Sequence, residues 1–345
     1  MLAAAFYSRV SCCSLIVFRK QTARLLSRTR SIGSAHNVGS LDSKRNGHYD
    51  IVDVHETKLV ERFQAESMRL QTATNRKITA SDVKEVDEIH VGGAEATQML
   101  ISSIQKNKAI IRDVLDLGSG LGGPARAMAN ALECNVQGID LMPDMVDCAK
   151  FLSTELSAYQ KGSVSFLCGN ILNLSHFYEE NMFDVVTMIH VGMNVKEKAL
   201  LFSEVKRVLR PEGIFAVYDI MMLQKQEAVI DKIKYPLAWA SDANHSFLET
   251  SDLYVDLSEK AGFTTISVED KGDMAKEFFQ QHDKKWMQQK QNRCSLQPKP
   301  AFSMSLVMGA DAKEKVWNLR QIIDLNVVAP VEIIFKKPLK GKTAQ

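Results

Sequence analysis

No acidic side chain precedes Asp42 in this 345-residue chain, no Cys-x-x-Cys pair occurs anywhere in it, and no apolar run is long enough to cross a bilayer. Each absence excludes something. Without about 18 or more consecutive apolar residues, nothing reads as a membrane-spanning helix. The six cysteines (Cys12, Cys13, Cys134, Cys148, Cys168 and Cys294) are scattered, so a zinc knuckle, a redox dithiol and an iron–sulfur site are not expected, and no metal site is assigned. No repeat or low-complexity tract is present. Beyond the first 41 residues there is also no basic patch and no aromatic platform, which excludes a nucleic-acid partner from the expectations.

What is present is an ordinary globular composition, 45% hydrophobic and 24% charged, with 43 basic against 41 acidic residues. The net charge of +2 is unevenly placed. Arg9, Arg19, Lys20, Arg24, Arg28 and Arg30 all lie in the acid-free leader, leaving 37 basic against 41 acidic groups in the rest. An Arg- and Ser-rich, acid-free start has the composition of a mitochondrial targeting segment, taken here as residues 1–36, which places the protein in the matrix. The alternatives are a basic tail without an address and a secretory signal, for which the apolar run Ser14–Phe18 is too short. Residues 37–85 read as a linker with one cover helix, Glu56 to Thr72, followed by a second polar gap. Residues 86–336 form the main domain, and 337–345 a basic, solvated tail.

From residue 94 helical and strand patterns alternate, the signature of βαβ units around a parallel sheet. Strands are expected at Asp113–Leu117, Asn135–Ile139, Val164–Cys168, Phe183–Ile189, Ile214–Ile220, Thr265–Val268 and Val331–Phe335. Gln224 to Ser251, with Tyr235, Pro236 and Trp239, reads as a helical insertion after the fifth strand.

The sharpest motif runs from Val114 to Pro124: a strand, then Gly118-Ser119-Gly120-Leu121-Gly122-Gly123, then a helix. Such a loop lets backbone approach a ligand, and the helix start offers free N–H groups to an anion. The spacing fits two templates, a dinucleotide loop through Gly118, Gly120 and Gly123, and an S-adenosylmethionine loop through Gly118, Gly120 and Gly122. A tight turn without a ligand is the bland reading. Charge separates the two cofactors: Asp116 would repel a pyrophosphate and attract the ammonium of a methionine moiety. Asp140, 20 residues after Gly120 at the end of the second strand, can accept both ribose hydroxyls of an adenosine, which either cofactor needs.

Asp116 to Pro124, Gly138-Ile139-Asp140-Leu141, Phe183-Asp184-Val185-Val186 and Val208 to Gly213 together resemble the class I S-adenosylmethionine-dependent methyltransferases over roughly residues 86–336. The resemblance implies an α/β, Rossmann-like seven-stranded sheet with helices on both faces, and S-adenosyl-L-methionine as cofactor. It implies a cofactor set of Asp116, Gly118, Gly120, Gly122, Asp140, Leu141, Asn170, Ile171 and His190. Gly169-Asn170-Ile171 sits where the family usually has Gly-Asp; the Asn170 side-chain carbonyl can still accept from an adenine amino group. His90-Val91-Gly92-Gly93, the glycine loop and Tyr218-Asp219-Ile220 look like the small-molecule branch that includes phosphoethanolamine and sarcosine/dimethylglycine N-methyltransferases. Many such relatives have a His a few residues beyond the fourth strand. Here that position is Asn194, and His190 stands earlier, at the strand terminus.

The expected activity is therefore methyl transfer by in-line displacement to a small-molecule acceptor, foremost an amine nitrogen. Oxygen or sulfur acceptors, a nicotinamide-dependent oxidoreductase and a catalytically silent partner subunit are the alternatives. His190 is the candidate base or methionine contact, with Asn194 and Tyr218 orienting the acceptor; a strand-end cap is the structural reading of His190. His90 is a substrate contact or a turn former, and Trp239 a pocket wall or a packing residue. Nothing in the sequence indicates the oligomeric state.

Overall fold

The computed structural model describes residues 58–157, 161–224, 230–291 and 302–339. The proposed targeting segment, the start of the linker, and Lys340 and Lys342 of the tail lie outside the described residues.

Among the described residues, three helices precede the first strand. Helix α1 (Leu59–Thr74) buries Leu59 and Phe63 one turn apart, and α2 (Ala80–Asp87) buries Val83 and Val86. The second of these lies where the sequence reads as a polar gap. Its start is set locally: Asp82 Oδ2 accepts from the Thr79 backbone N–H at 2.8 Å and from the Thr79 hydroxyl at 2.7 Å, a reciprocal cap that a hydrophobic-periodicity search passes over.

Helix α3 (Gly93–Asn107), β1 (Asp113–Leu117), α4 (Gly123–Leu132), β2 (Asn135–Asp140), α5 (Pro143–Glu155) and β3 (Ser163–Cys168) follow. Then come β4 (Phe183–Ile189), α6 (Lys198–Val208), β5 (Leu209–Met222), α7 (Ser251–Lys260), β6 (Thr264–Asp270), α8 (Gly272–Gln291), α9 (Met304–Met308), α10 (Ala312–Asp324) and β7 (Val328–Lys336). The seven strands form one sheet in the order β3-β2-β1-β4-β5-β7-β6, with β7 antiparallel to both neighbours. Strand β4 is buried along its whole length, as a central strand covered on both faces must be, which explains its unbroken apolar run.

Alternation along the strands divides the core into two layers. Leu115, Leu117, Val186, Met188, Val217 and Phe335 pack with Phe202 and Val205 of α6, whereas Val114, Val185, Ala216, Tyr218 and Ile334 pack with Leu100 and Ile104 of α3. Sequence neighbours Tyr218 and Asp219 therefore face opposite layers.

Two expectations are corrected. The insertion after β5 is not helical across described residues 231–249: it contains a bridge between Leu237 and Ala240 and a single 3-10 turn, Ala243–His245. Pro236 and the Asp242 side chain, which accepts from Asn244 N at 2.8 Å, favour turns over a continued helix. Residues 225–229 lie outside the described residues. Lys337, assigned to a solvated tail, is buried, and its ammonium donates to the carbonyls of Lys206 and Leu209 and to Asn181 Oδ1.

Candidate functional site at the carboxyl ends of the strands

Parallel registry brings the candidate residues to one edge of the sheet. Asp116 pairs with Gly138 and Thr187, Asp140 with Cys168, and Ile189 with Tyr218. Strand β1 lies between β2 and β4, so the chain crosses in opposite directions on its two sides, opening a crevice at the carboxyl ends where ligands of open α/β sheets bind.

The glycine loop occupies that crevice, and its glycines differ in purpose. Gly118, Gly120 and Gly122 all have positive φ (66°, 50° and 82°), which side-chain-bearing residues rarely adopt. A Cβ at Gly118 would collide with Val191, and one at Gly122 with Phe166, whereas one at Gly120 would meet nothing within 4 Å. Gly118 and Gly122 are thus packing requirements. Gly120 borders free space on the ligand side.

The two carboxylates are held by the protein itself. Asp116, 2% exposed, accepts from the Thr187 hydroxyl at 2.8 Å, and burial pushes its pKa up to about 7. A ligand ammonium there would restore its charge. Asp140 accepts from Gly120 N at 2.8 Å and from Met142 N at 2.9 Å. A carboxylate has about four acceptor positions, so two backbone bonds leave capacity for a ribose diol. Leu141 is 47% exposed beside it, an apolar face at the edge where an adenine would lie. Asn170 Oδ1 accepts from Leu172 N at 2.8 Å, capping the 3-10 turn that starts at the buried Ile171. The expected adenine contact at Asn170 must share that oxygen.

On the other side of the crevice, His190 ends β4 with φ 54°, its N–H bonded to Tyr218 O at 2.8 Å. Its ring stacks on Tyr218 (centroids 5.5 Å apart, planes 14°) and meets His90 edge-on at 5.8 Å. Burial holds the imidazole neutral, with its pKa well below the ordinary value, and Nε2 is enclosed without a partner. Asn194, in the 3-10 turn Gly192–Asn194, likewise has a buried Oδ1 without a partner, as does the Ser119 hydroxyl in the glycine loop. Buried polar atoms are nearly always satisfied, so three orphans along one edge mark where ligand atoms would supply the bonds.

The structure corrects two acceptor-side assignments. The Tyr218 hydroxyl donates to Val91 O at 3.0 Å and its residue is buried, so it fastens the His90–Gly93 loop instead of facing an acceptor. Trp239, 3% exposed, packs with Met193, Ile220, Leu237 and Phe279, and its indole N–H donates to Ser246 Oγ at 3.0 Å; it is a core residue, not a pocket wall. His90 is buried as well, bonded through Nε2 to Gly93 O.

Sequence reasoning missed Arg126. This buried guanidinium donates to Leu121 O at 2.9 Å in the glycine loop, to Ser153 Oγ at 2.8 Å and to Asp87 Oδ1, tying α2 to the loop. An arginine alone among the small residues of Pro124 to Ala131 was the available signal. Among the described residues no group of three or more His, Cys, Asp or Glu side chains could hold a metal, and no helix is long and apolar enough to cross a membrane.

Residues 115–217 match the family described as methyltransferase domain. The sterol 24-C-methyltransferase ERG6 of Saccharomyces cerevisiae is 30% identical over 167 residues, 46% of this chain and 41% of that protein. The chain matches less than half the length of these curated sterol methyltransferases. Among solved structures, phosphoethanolamine N-methyltransferase 2 of Haemonchus contortus, bound to phosphomonomethylethanolamine and S-adenosylhomocysteine, aligns with TM-score 0.58 at 20% identity, covering 82% of this chain and 61% of that one. A putative sarcosine dimethylglycine methyltransferase of Galdieria sulphuraria aligns with TM-score 0.57 at 16% identity, covering 80% and 98%. At such identities the structural likeness speaks for the fold. Residues 115–217 thus match a methyltransferase domain, and the structural likeness extends the same fold to about four-fifths of the chain.

Proposed function

We propose that the protein transfers a methyl group from S-adenosyl-L-methionine to the nitrogen of a small amine. The observation that carries this reading is the conjunction of open space at Gly120 with unpartnered polar atoms at Ser119, His190 and Asn194 along the same edge. The cofactor, when bound, supplies an already activated methyl on sulfonium sulfur. Asp116 would take its ammonium, the start of α4 its carboxylate, Asp140 its ribose hydroxyls, and Leu141 and Asn170 its adenine.

On the acceptor side, Asn194 Oδ1 can only accept a hydrogen bond, and a neutral His190 offers one acceptor or one donor. An N–H of a small amine satisfies the first and turns the nitrogen lone pair toward the methyl. Orientation of this kind supplies up to about 7–11 kcal/mol of barrier reduction, so the protein's main work is alignment and exclusion of water. The acid-free leader supports action in the mitochondrial matrix, which import of a leader–reporter fusion would test.

A carbon acceptor is the second reading. It is supported by the sterol 24-C-methyltransferase relatives and by the grouped rings of His90, His190 and Tyr218, whose faces suit a developing cation. An acceptor screen with methyl-labelled cofactor decides: labelled N-methyl product from small amines is the expected result. Label found only on carbon of an apolar alkene, or only in protein or RNA, overturns the nitrogen reading. Binding of NAD without S-adenosylhomocysteine in calorimetry would sink both.

A further inference from the structure

Beside the acceptor edge, Glu88, Thr97 and His90 form a hydrogen-bonded chain whose proton positions follow from valence when Glu88 is ionised and His90 neutral. The Thr97 hydroxyl donates to Glu88 Oε2, which accepts as a carboxylate; burial pushes the Glu88 pKa up, and the bond from Thr97 opposes that shift. Its oxygen is then left as an acceptor, 3.1 Å from His90 Nε2. The second neighbour of Nε2 is Gly93 O at 2.9 Å, and a carbonyl only accepts. Both partners demand a donor, so Nε2 carries the hydrogen. Burial pushes the His90 pKa down to about 4, and a neutral imidazole has a single N–H. The lone pair is therefore on Nδ1, to which no described residue donates. The ring lies edge-on to His190 at 5.8 Å and to Tyr218 at 6.1 Å, on the side of the crevice away from Asp140.

We propose that Glu88 and Thr97 are positioning residues that hold His90 as its Nε2–H tautomer, so that His90 Nδ1 receives the hydrogen of the acceptor's N–H during methyl transfer. The proposal rests on the nitrogen-methylation reading above. As the nitrogen lone pair forms the N–C bond, the S–C bond pair stays with sulfur and the nitrogen's proton passes to Nδ1, from which water takes it. While His90 is cationic, its Nε2–H points at Gly93 O and at Thr97 Oγ, with the Glu88 carboxylate 4.0 Å away. Among the described residues, the charged groups facing this chain are Asp87 and Arg126, behind Glu88; His190 and Tyr218 present rings, and α8 places Met274 beside Gly92 and Phe278 beside Gly93. The arrangement resembles a catalytic triad in its logic, with a hydroxyl interposed between acid and imidazole.

Two measurements on the full chain test it. In the protein labelled with 15N-histidine and bound to S-adenosylhomocysteine, with the His90 signals assigned through His90→Gln, the Nε2–H tautomer should be seen at pH 7 and the ring should stay neutral at pH 5.5. A Nδ1–H tautomer or an imidazolium at pH 7 overturns the proposal. In kinetics, Glu88→Gln keeps an acceptor for Thr97 and removes the charge, and Thr97→Val removes the link. Each should lower kcat roughly 10- to 100-fold, the low end of general-base effects, with the KM of amine and cofactor within about threefold, and Thr97→Ser should recover kcat to within about twofold of wild type. Wild-type kcat in both Glu88→Gln and Thr97→Val, or a loss confined to KM, overturns it. Should Thr97→Val fail to fold, Glu88→Gln and the spectrum still decide. If the tautomer is as stated but no amine is methylated, the nitrogen reading has failed and the proton assignment stands.

Discussion

The two sides of the crevice differ in how far the protein satisfies itself. On the cofactor side, the polar side chains that would hold ligand are mostly partnered already: Asp116 has Thr187, Asp140 has Gly120 N and Met142 N, and Asn170 has Leu172 N, while the Ser119 hydroxyl has none. On the acceptor side, His190 Nε2 and Asn194 Oδ1 are enclosed with none. The first arrangement is preorganised, with its carboxylates aimed before ligand arrives. The second bears a desolvation cost that only a bound molecule relieves. A site of this kind should bind cofactor by geometry already in place and choose its acceptor by which hydrogen bonds the newcomer can complete.

The largest expected effect tests the cofactor side. Asp140→Ala removes two hydrogen bonds to ribose, each worth about 1.5–3 kcal/mol when the acceptor is charged, so S-adenosylhomocysteine affinity measured by calorimetry should fall at least about 100-fold. The same substitution frees the backbone N–H of Gly120 and Met142, and the apo protein should lose thermal stability too. Preserved affinity would mean that the diol is bound elsewhere and that Asp140 is not part of a preorganised cofactor side.

Next in size is the contrast between two glycines of one loop. Gly118→Ala combines left-handed backbone strain with a collision against Val191 and should cost about 2–4 kcal/mol of stability by denaturant unfolding. Gly120→Ala meets no atom within 4 Å and should cost only about 1–2 kcal/mol of strain, yet weaken cofactor binding. Equal stability losses, or unchanged affinity in Gly120→Ala, would contradict the division between packing and ligand glycines.

These glycines also show what was legible in the sequence. The loop, Asp116 and Asp140 form a local motif within about 25 residues, and each contact is made between adjacent strands whose registry follows from the βαβ pattern. The seven strands and the place of the glycine loop between strand and helix could be read for that reason. The acceptor side is assembled by pairs far apart in sequence: Tyr218 with Val91, and His90 with His190. Nothing near Tyr218 indicates that its hydroxyl is already used, and nothing near Trp239 indicates that Ser246 satisfies its indole. The insertion reads as helical, whereas over described residues 231–249 Pro236 and Asp242 dictate turns. Helix α2 was missed because its cap is two polar residues and its buried face only Val83 and Val86.

A smaller effect follows from Asp116. Its folded pKa lies near 7 because of burial, above the ordinary carboxylate value of about 4. The folded protein thus holds this proton more tightly than the unfolded chain, and the stability it gains is complete below about pH 4 and lost as pH rises to about 7. Cofactor affinity runs the other way. The ammonium needs the carboxylate, so S-adenosylhomocysteine affinity should rise up to about tenfold per pH unit as pH rises toward 7 and then level off. Asp116→Asn should flatten that rise. Asp219 shares a raised pKa of about 7 but faces the opposite layer, where it accepts from the Tyr254 hydroxyl at 2.9 Å, and Asp219→Asn should leave the rise in place. A rise that follows Asp219 and not Asp116 would move the ammonium site.

The smallest effect bears on the acceptor side most directly. If Asn194 Oδ1 is enclosed for the acceptor's sake, it is a cost to the free protein, because a buried acceptor without a donor forfeits about 1–3 kcal/mol of hydration. Asn194→Leu replaces it with an apolar group of similar volume. The apo protein should then gain up to about 1 kcal/mol, seen as a small rise in melting temperature, while S-adenosylhomocysteine affinity stays within about twofold and the acceptor KM rises. Asp140→Ala should show the reverse pattern, with stability and cofactor affinity falling together. Should Asn194→Leu destabilise the apo protein by more than about 1 kcal/mol, its oxygen is satisfied in solution, and the difference between a self-satisfied cofactor side and an unfinished acceptor side disappears with it.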